Sequence, residues 1–243
     1  MACEHHYVKS DREGYLLCAF CRSYRSLEPL EPGLLYTTDY WTHERGHSTL
    51  KEQAFNTDEF LVNGASKCQF VLDRIEVTSR GAALEIGCAP GRLLLMLKGL
   101  GRFEHVVGIE AHESYEQAIR EIGCFGGPLI FGLFPGVEVE GHFNYICALD
   151  VWEHSWQPVE FIRKCHDLLN PGGQLFIMAP FAAPDLEERF FHPIEHVWIF
   201  SKGYVDGLLQ ECGFRDVKFD RWTNGHDTVS ARTAIGADGL ANR

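Results

Sequence analysis

The stretch Leu84-Glu85-Ile86-Gly87-Cys88-Ala89-Pro90-Gly91-Arg92 decides the fold. It follows a short apolar run at 82–86 and opens an apolar, helix-spaced segment at 92–99, so it reads as a strand, a tight turn and a helix start. The two glycines let the turn bring its backbone close to a ligand, as only a residue without a Cβ can. Nineteen residues beyond Gly91, Glu110 closes the next apolar run, where a carboxylate can accept both hydroxyls of a ribose. Turn and carboxylate together suit an adenosine ligand.

The turn also excludes ligands. A dinucleotide fingerprint requires G-x-G-x-x-G, and Ala89 stands where its second glycine would face a pyrophosphate, which disfavours NAD. No G-x-x-x-x-G-K-[ST] occurs, which removes a nucleoside triphosphate loop. Outward from the turn, strands are expected at 82–86, 105–109, 129–131, 145–149 and 174–178. Helices are expected between them at 92–99, 113–122 and 159–169, the last stopped by Asn170-Pro171-Gly172-Gly173. Such alternation is the signature of βαβ units and a parallel sheet. Helical spacing also marks 68–75 before the sheet. Proline-punctuated, aromatic 181–200 reads as an insertion over the sheet edge, followed by a helix at 202–212 and β-like runs at 217–222 and 228–234. The expected fold is α/β, a Rossmann-like seven-stranded, mostly parallel sheet with helices on both faces and a small N-terminal Cys/His knuckle. Its expected divisions are a knuckle at 1–35, the main domain at 36–236 and a tail at 237–243.

With 243 residues, 45% of them hydrophobic, there is material for one substantial core and a small appendage. A net charge of -12 argues against a surface built to neutralise nucleic-acid phosphates or dock on anionic lipid, so a small-molecule ligand without nucleic acid or membrane is expected. Neither a signal-peptide pattern nor an apolar stretch of membrane-spanning length stands out, and a cytoplasmic location is expected. Nine cysteines are an odd count, and Cys68, Cys88, Cys147, Cys165 and Cys212 lie in apolar segments, which suits reduced thiols acting as small hydrophobes.

An acidic residue followed by G-x-x-x-G at a strand-to-helix turn resembles the first motif of the class I S-adenosylmethionine-dependent methyltransferases. Ala148-Leu149-Asp150-Val151-Trp152-Glu153-His154 is similar to that family's segment after the fourth strand, and Leu168-Leu169-Asn170-Pro171-Gly172-Gly173 to its turn into the fifth. The resemblance covers roughly residues 36–235. It implies S-adenosylmethionine as cofactor, with Glu85, Gly87 and Gly91 shaping the methionine and ribose pocket together with Cys88. It further implies Glu110 on the ribose, and Leu149 and Asp150 toward the methionine end. Many members carry an acid after the third strand for the adenine amino group; Phe131-Gly132-Leu133-Phe134 offers none, leaving adenine to apolar packing and backbone.

At the N-terminus, Cys3-Glu4-His5-His6 and Cys18-Ala19-Phe20-Cys21 form two C-x-x-[CH] pairs about a dozen residues apart. Tetrahedral zinc needs four soft or borderline ligands from two turns, and the spacing favours Cys3, His6, Cys18 and Cys21 over the use of His5. Such a closed site is structural. Several small-molecule methyltransferases, some acting on nucleotide sugars, carry a similar knuckle followed by a Tyr-Trp segment, which Tyr36-Thr37-Thr38-Asp39-Tyr40-Trp41 resembles. Tyr36, Tyr40 and Trp41 either wall the pocket or pack as core.

Methyl transfer requires an acceptor held in line with the methyl group and, for many acceptors, the removal of a proton. The candidate bases are His192 and His196 in His192-Pro193-Ile194-Glu195-His196-Val197-Trp198, with His154 next. Lying after the fifth strand, that segment can roof the crevice at the carboxyl ends of the strands. Each histidine could equally brace a loop. The leading reading is a methyltransferase acting on a small molecule through oxygen, nitrogen or carbon. The alternatives are a nicotinamide oxidoreductase and a non-catalytic binding module of the same fold.

Overall fold

The computed structural model describes residues 3–35, 58–77, 80–121, 124–222 and 226–235. The tail expected from residue 237, and Tyr36, Tyr40 and Trp41, lie outside the described residues.

Seven strands form the main sheet: β4 (Gly81–Ile86), β5 (Phe103–Glu110), β6 (Leu129–Phe131), β7 (Phe143–Leu149), β8 (Leu169–Ala179), β11 (Phe214–Arg221) and β12 (Asp227–Thr233). Their order is β11-β12-β8-β7-β4-β5-β6. The five strands from β8 to β6 run parallel. Only the terminal hairpin is antiparallel, β12 to β8 and β11 to β12. The order reverses at β4, because the chain leaves it toward β5 and later returns on its other side through β7. That reversal opens a crevice beyond the carboxyl ends of β4 and β7, where open α/β sheets hold ligands.

Strand parity explains why both faces are covered. Leu84, Ile86, Ile146, Ala148, Leu175 and Ile177 point to one face and pack with Phe161, Ile162 and Leu208 of the helices Pro158–Leu168 and Lys202–Glu211. Ala83, Tyr145, Cys147, Phe176 and Met178 point to the other, against Cys68, Val71, Leu94 and Ile119 of the helices Asp58–Leu72, Arg92–Gly99 and Glu116–Glu121. The start of the expected helix at 113 is a single 3₁₀ turn, Glu113–Tyr115, before the α-helix.

Asn170-Pro171-Gly172-Gly173 does not simply end a helix. β8 pairs Leu169 with Phe143 and then Gln174 with Tyr145, so the four residues bulge out of a strand that begins before them. Gly172 takes φ +75 there, and the Thr233 hydroxyl donates to the Asn170 carbonyl at 2.7 Å.

A second sheet of five strands joins distant parts of the chain. Its order is β1 (Tyr7–Lys9), β2 (Tyr15–Cys18), β3 (Tyr24–Ser26), β10 (Trp198–Ser201) and β9 (Phe181–Ala182). β3 and β10 pair antiparallel, Arg25 opposite Trp198 and Tyr24 opposite Ile199. The N-terminal strands thus bury Tyr15 against Leu186, Phe190 and Ile199 of the insertion. All nine cysteines are free thiols; Cys18, Cys68, Cys88, Cys147 and Cys165 are buried and Cys124 is exposed. Among the described residues no helix is long and apolar enough to cross a membrane.

Candidate active site

The β4-to-helix turn folds back on the end of β5. The Gly87 and Cys88 N–H groups donate to the Ile109 carbonyl at 2.8 and 3.1 Å, and Gly91 N–H donates to Cys88 at 2.6 Å. Gly87 holds φ +72, and a Cβ there would lie 2.3 Å from Val151 Cγ2, so both its conformation and its surroundings require glycine. Gly91, at φ +89, is the N-cap of the helix Arg92–Gly99.

Glu110 sits at the end of β5 and is buried. Its Oε2 accepts from Ala89 N–H at 2.9 Å and its Oε1 from Ala111 N–H at 2.8 Å. Each oxygen keeps a second acceptor direction, so a diol placed before it finds two fixed acceptors. Burial raises its pKa, against the pull of those two N–H groups.

Asp150 follows β7 with φ +54, its N–H donating to the Met178 carbonyl at 2.9 Å. Its Oδ2 is paired with the Lys67 ammonium, and its Oδ1 lies 3.4 Å from His226 Nε2 without forming a hydrogen bond. Burial works against the charged form, but Lys67 and His226 outweigh it and the carboxyl pKa is lowered.

Gly87, Ala89, Glu110, Leu149 and Asp150 line one cavity of about 480 Å³. That volume falls in the range of small-molecule sites. Gly132, Leu133 and Phe134 form an apolar wall beside Glu110, and Pro32 and Leu35 of the N-terminal segment close another side. Three residues expected here face elsewhere. Glu85 lies one residue inside the end of β4, on the sheet face it shares with Glu110 and near Cys68 and Cys147, and is not among the residues lining the cavity. Burial, then the nearby Glu110, raise its pKa well above the ordinary value. Cys88 fills a niche against β5, where a Cβ on Gly108 would meet its sulfur at 2.7 Å. Gly91 shapes the turn from behind the wall and is not among the residues lining the cavity.

The same cavity is also lined by His154, Ser155, Trp156, Glu195 and His196. His154 Nδ1 lies 2.8 Å from the Glu195 carbonyl, and His196 Nδ1 lies 2.7 Å from the Phe190 carbonyl. A carbonyl only accepts, so each Nδ1 carries the proton and each neutral ring keeps its lone pair on Nε2. The two rings meet edge to face with centroids 5.0 Å apart. Burial lowers the pKa of His154 and pushes that of His196 down to about 3. His192, by contrast, stands behind His196, its ring centroid 5.6 Å away, and does not line the cavity. Sequence reasoning missed two groups here. Glu153 is buried with Oε2 unpartnered, 4.0 Å from His154 Nε2 through its other oxygen, and one ligand atom each of Glu153, His154 and His196 lie within 4.8 Å of one another. Burial, then Asp150, raise the Glu153 pKa well above the usual range. Lys67, the cation on Asp150, lies on a helix far upstream and carried no motif signal.

Cys3, His5, Cys18 and Cys21 form a separate group with one ligand atom each within 4.8 Å of the others. Cys3 and Cys18 sulfurs are 3.6 Å apart, and His5 Nδ1 is 3.4 Å from the Cys21 sulfur. Zinc with bonds of about 2.3 Å to sulfur requires sulfur separations of about 3.8 Å in a tetrahedron. The fourth member is His5 rather than His6. Burial alternates along residues 3–7, with Cys3, His5 and Tyr7 partly buried and Glu4 and His6 exposed, and His6 turns out onto exposed Phe20, with ring centroids 5.8 Å apart. Burial opposes ionisation of Cys18, but N–H groups of the turn and the His5 ring prevail and lower its pKa to about 6.

A methyltransferase-domain family model matches residues 65–218, more than half of the chain. The ubiquinone biosynthesis O-methyltransferase of Marinobacter nauticus is 27% identical over 119 residues, 46% of this chain and 48% of that protein. The tRNA U34 carboxymethyltransferase of Idiomarina loihiensis is 27% identical over 165 residues, 62% of this chain and 50% of that protein. The chain spans about half the length of the curated relatives it matches. A chain in the complex of the Haloferax volcanii Trm112 methyltransferase activator with a methyltransferase superposes with a TM-score of 0.64 at 12% identity, covering 76% of this chain and 97% of that one. Phosphoethanolamine N-methyltransferase 2 of Haemonchus contortus, in complex with S-adenosyl-L-methionine, gives 0.62 at 12% identity, covering 81% and 60%. At such identities the solved structures speak for the fold alone.

Proposed function

Since the chain belongs to the class I S-adenosylmethionine-dependent methyltransferases, we propose that it transfers a methyl group from S-adenosylmethionine to a small-molecule acceptor held under residues 192–198. The observation that carries this reading is that Gly87, Glu110, Asp150, His154 and His196 line one cavity. The residues present fit the cofactor. Glu110 offers two fixed acceptors to a ribose, Gly87 leaves the room that a side chain would fill, and Asp150 Oδ1 is a buried acceptor without a hydrogen bond. Gly132, Leu133 and Phe134 supply an apolar wall for adenine. When bound, the cofactor supplies an electrophilic methyl group on a sulfonium.

The chain's own residues orient and deprotonate. His154 and His196 are held neutral by burial, with Nε2 available to take a proton from the acceptor, and either is the proposed base. Trp156, Phe134 and Phe161 exclude water around the reacting atoms. The net charge of -12 supports a small acceptor over a nucleic acid. The N-terminal group is proposed as a structural zinc site on Cys3, His5, Cys18 and Cys21, within a segment 1–35 that precedes the catalytic domain.

The test follows S-adenosylhomocysteine release from S-adenosylmethionine across phenols, amines, sugar nucleotides and transfer RNA. Turnover with a small acceptor, lost in the paired variant His154→Gln with His196→Gln, supports the proposal. Turnover confined to RNA, or calorimetry in which NAD binds and S-adenosylhomocysteine does not, overturns it.

A further inference from the structure

The acceptor-side imidazoles owe their orientation to backbone that the N-terminal strands hold. The two carbonyls that fix their tautomers, Glu195 O and Phe190 O, belong to the insertion between β9 and β10. Within it, Glu195 and His196 N–H groups close a turn on the His192 carbonyl at 3.0 and 2.7 Å. Its position over the cavity is set by contacts reaching beyond the turn.

That position comes from the first thirty residues. Leu30 N–H donates to Ile194 O at 2.9 Å, Ser26 N–H to Val197 O at 2.9 Å, and the Ser26 hydroxyl to Pro193 O at 2.5 Å. The Tyr15 hydroxyl donates to the carbonyl of His196 itself at 3.1 Å. Gly14 lies so close that a Cβ would meet Pro193 Cγ at 2.7 Å. Four hydrogen bonds from one segment therefore land on four of the five consecutive residues 193–197.

The strands that donate them have three or four residues each and cannot keep their shape alone. Their cross-link is the Cys/His group, which ties the chain entering β1 to the turn between β2 and β3. The group also reaches β10. The His5 ring lies against Trp198 and Tyr204 with centroids at 5.5 and 4.9 Å, and Ser201 donates its N–H to the Ser23 hydroxyl at 3.0 Å and its hydroxyl to the Cys21 carbonyl. Trp198 in turn donates its indole N–H to Ser155 O in the cavity wall at 3.1 Å.

We infer that the N-terminal Cys/His strands are a positioning frame for His154 and His196, anchored by a metal on Cys3, His5, Cys18 and Cys21 and acting through Tyr15. This rests on the reading of the cavity as a methyltransferase site and of the four ligands as a zinc site. The metal does no chemistry on the acceptor; it fixes where the base stands. Tyr15 is a positioning residue, because its hydroxyl bonds the backbone carbonyl of the residue it places and does not line the cavity.

The experiment needs no acceptor. The whole chain, with histidine labelled with nitrogen-15 and saturated with S-adenosylhomocysteine, is studied by long-range proton–nitrogen correlation spectra, which show which nitrogen of each ring carries the proton. Wild type, wild type treated with a chelator, Tyr15→Phe and the pair Cys18→Ser with Cys21→Ser are compared, with zinc content and S-adenosylhomocysteine affinity measured on the same samples. The frame predicts about one zinc per wild-type chain and His154 and His196 as single Nδ1–H tautomers. Loss of zinc should give tautomer mixtures at both rings, and Tyr15→Phe at His196, while cofactor-product affinity stays within about twofold. Unchanged tautomers after zinc loss and in Tyr15→Phe would overturn the frame. A wild type without zinc whose Tyr15→Phe variant still shifts His196 would remove the metal anchor alone, and affinity falling in step with the tautomers would refute action confined to the acceptor end. Wild type that fails to bind S-adenosylhomocysteine at all would sink the underlying reading before any variant is compared.

Discussion

Replacing Glu110 with glutamine isolates its charge from its shape. Glu110 receives Ala89 N–H and Ala111 N–H at 2.9 and 2.8 Å, one on each oxygen, and turns its remaining acceptor directions to the cavity. Glutamine can present its carbonyl to one of those N–H groups, but its NH₂ must then face the other, donor against donor. One of the two ribose hydroxyls also loses its acceptor. A hydrogen bond to a charged group is worth about 1.5–3 kcal/mol, and at about 1.4 kcal/mol per tenfold the dissociation constant for S-adenosylhomocysteine should rise about 10- to 150-fold. Calorimetric titration near pH 8, where the buried carboxyl is most fully ionised, is the assay. Unfolding of the ligand-free variant, followed in parallel, separates lost binding from lost fold. An affinity within about twofold of wild type, with the fold intact, would refute the assignment of Glu110 to the ribose.

Other consequences follow from the same geometry. Gly87→Ala must hold φ +72 and place a methyl 2.3 Å from Val151, so it should cost about 2–5 kcal/mol from left-handed strain and overpacking, read as a lower urea midpoint; a loss under about 1 kcal/mol would show that the turn can relax. The depressed pKa values of His154 and His196 mean that the base stays neutral below its ordinary value, so methyl transfer should persist to about pH 5.5 rather than fall through the usual histidine value of about 6.5; an acidic limb centred near 6.5 would point to an exposed base instead. The same depression works on stability with a definite sign. The folded state resists protonating His196, so its contribution is present above about pH 6.5 and is lost as pH falls from there toward about 3. Glu85, Glu110 and Glu153 act oppositely, their raised values costing stability as pH rises through them. His196→Gln should therefore flatten stability against pH below about 6.5, and urea melts with the wild-type slope there would show that His196 is not the group responsible.

The sheet was legible because parallel strands buried on both faces leave apolar runs, and the turn from Gly87 to Gly91 was legible because a tight strand-to-helix turn demands glycine. Glu110, Leu149 and Asp150 could be placed because residues at the carboxyl ends of strands on either side of the reversal must face the crevice. Glu85 and Cys88 belong to the same motif but do not line the cavity: a motif gives membership of a turn, while depth along the strand decides which side chain reaches its open end, and Glu85 lies one residue short of the end of β4. Choosing His6 over His5 assumed a knuckle spacing, but burial alternates along the entry into β1 and the odd-numbered residues are the partly buried ones. The pairing of Tyr24 and Arg25 with Ile199 and Trp198 left no local trace, since it joins strands of three and four residues across most of the chain. His192 resembled a base by composition, and only that pairing determines that His196 reaches the cavity and His192 does not.

A crystal of the protein soaked with S-adenosylhomocysteine shows whether the cavity between Gly87 and His196 is a methyltransferase site. The expected electron density has both ribose hydroxyls on Glu110, adenine against Leu133 and Phe134, and the sulfur turned toward His154 and His196. A cavity left without density at saturating ligand, or ligand bound away from Glu110, would contradict the methyltransferase reading.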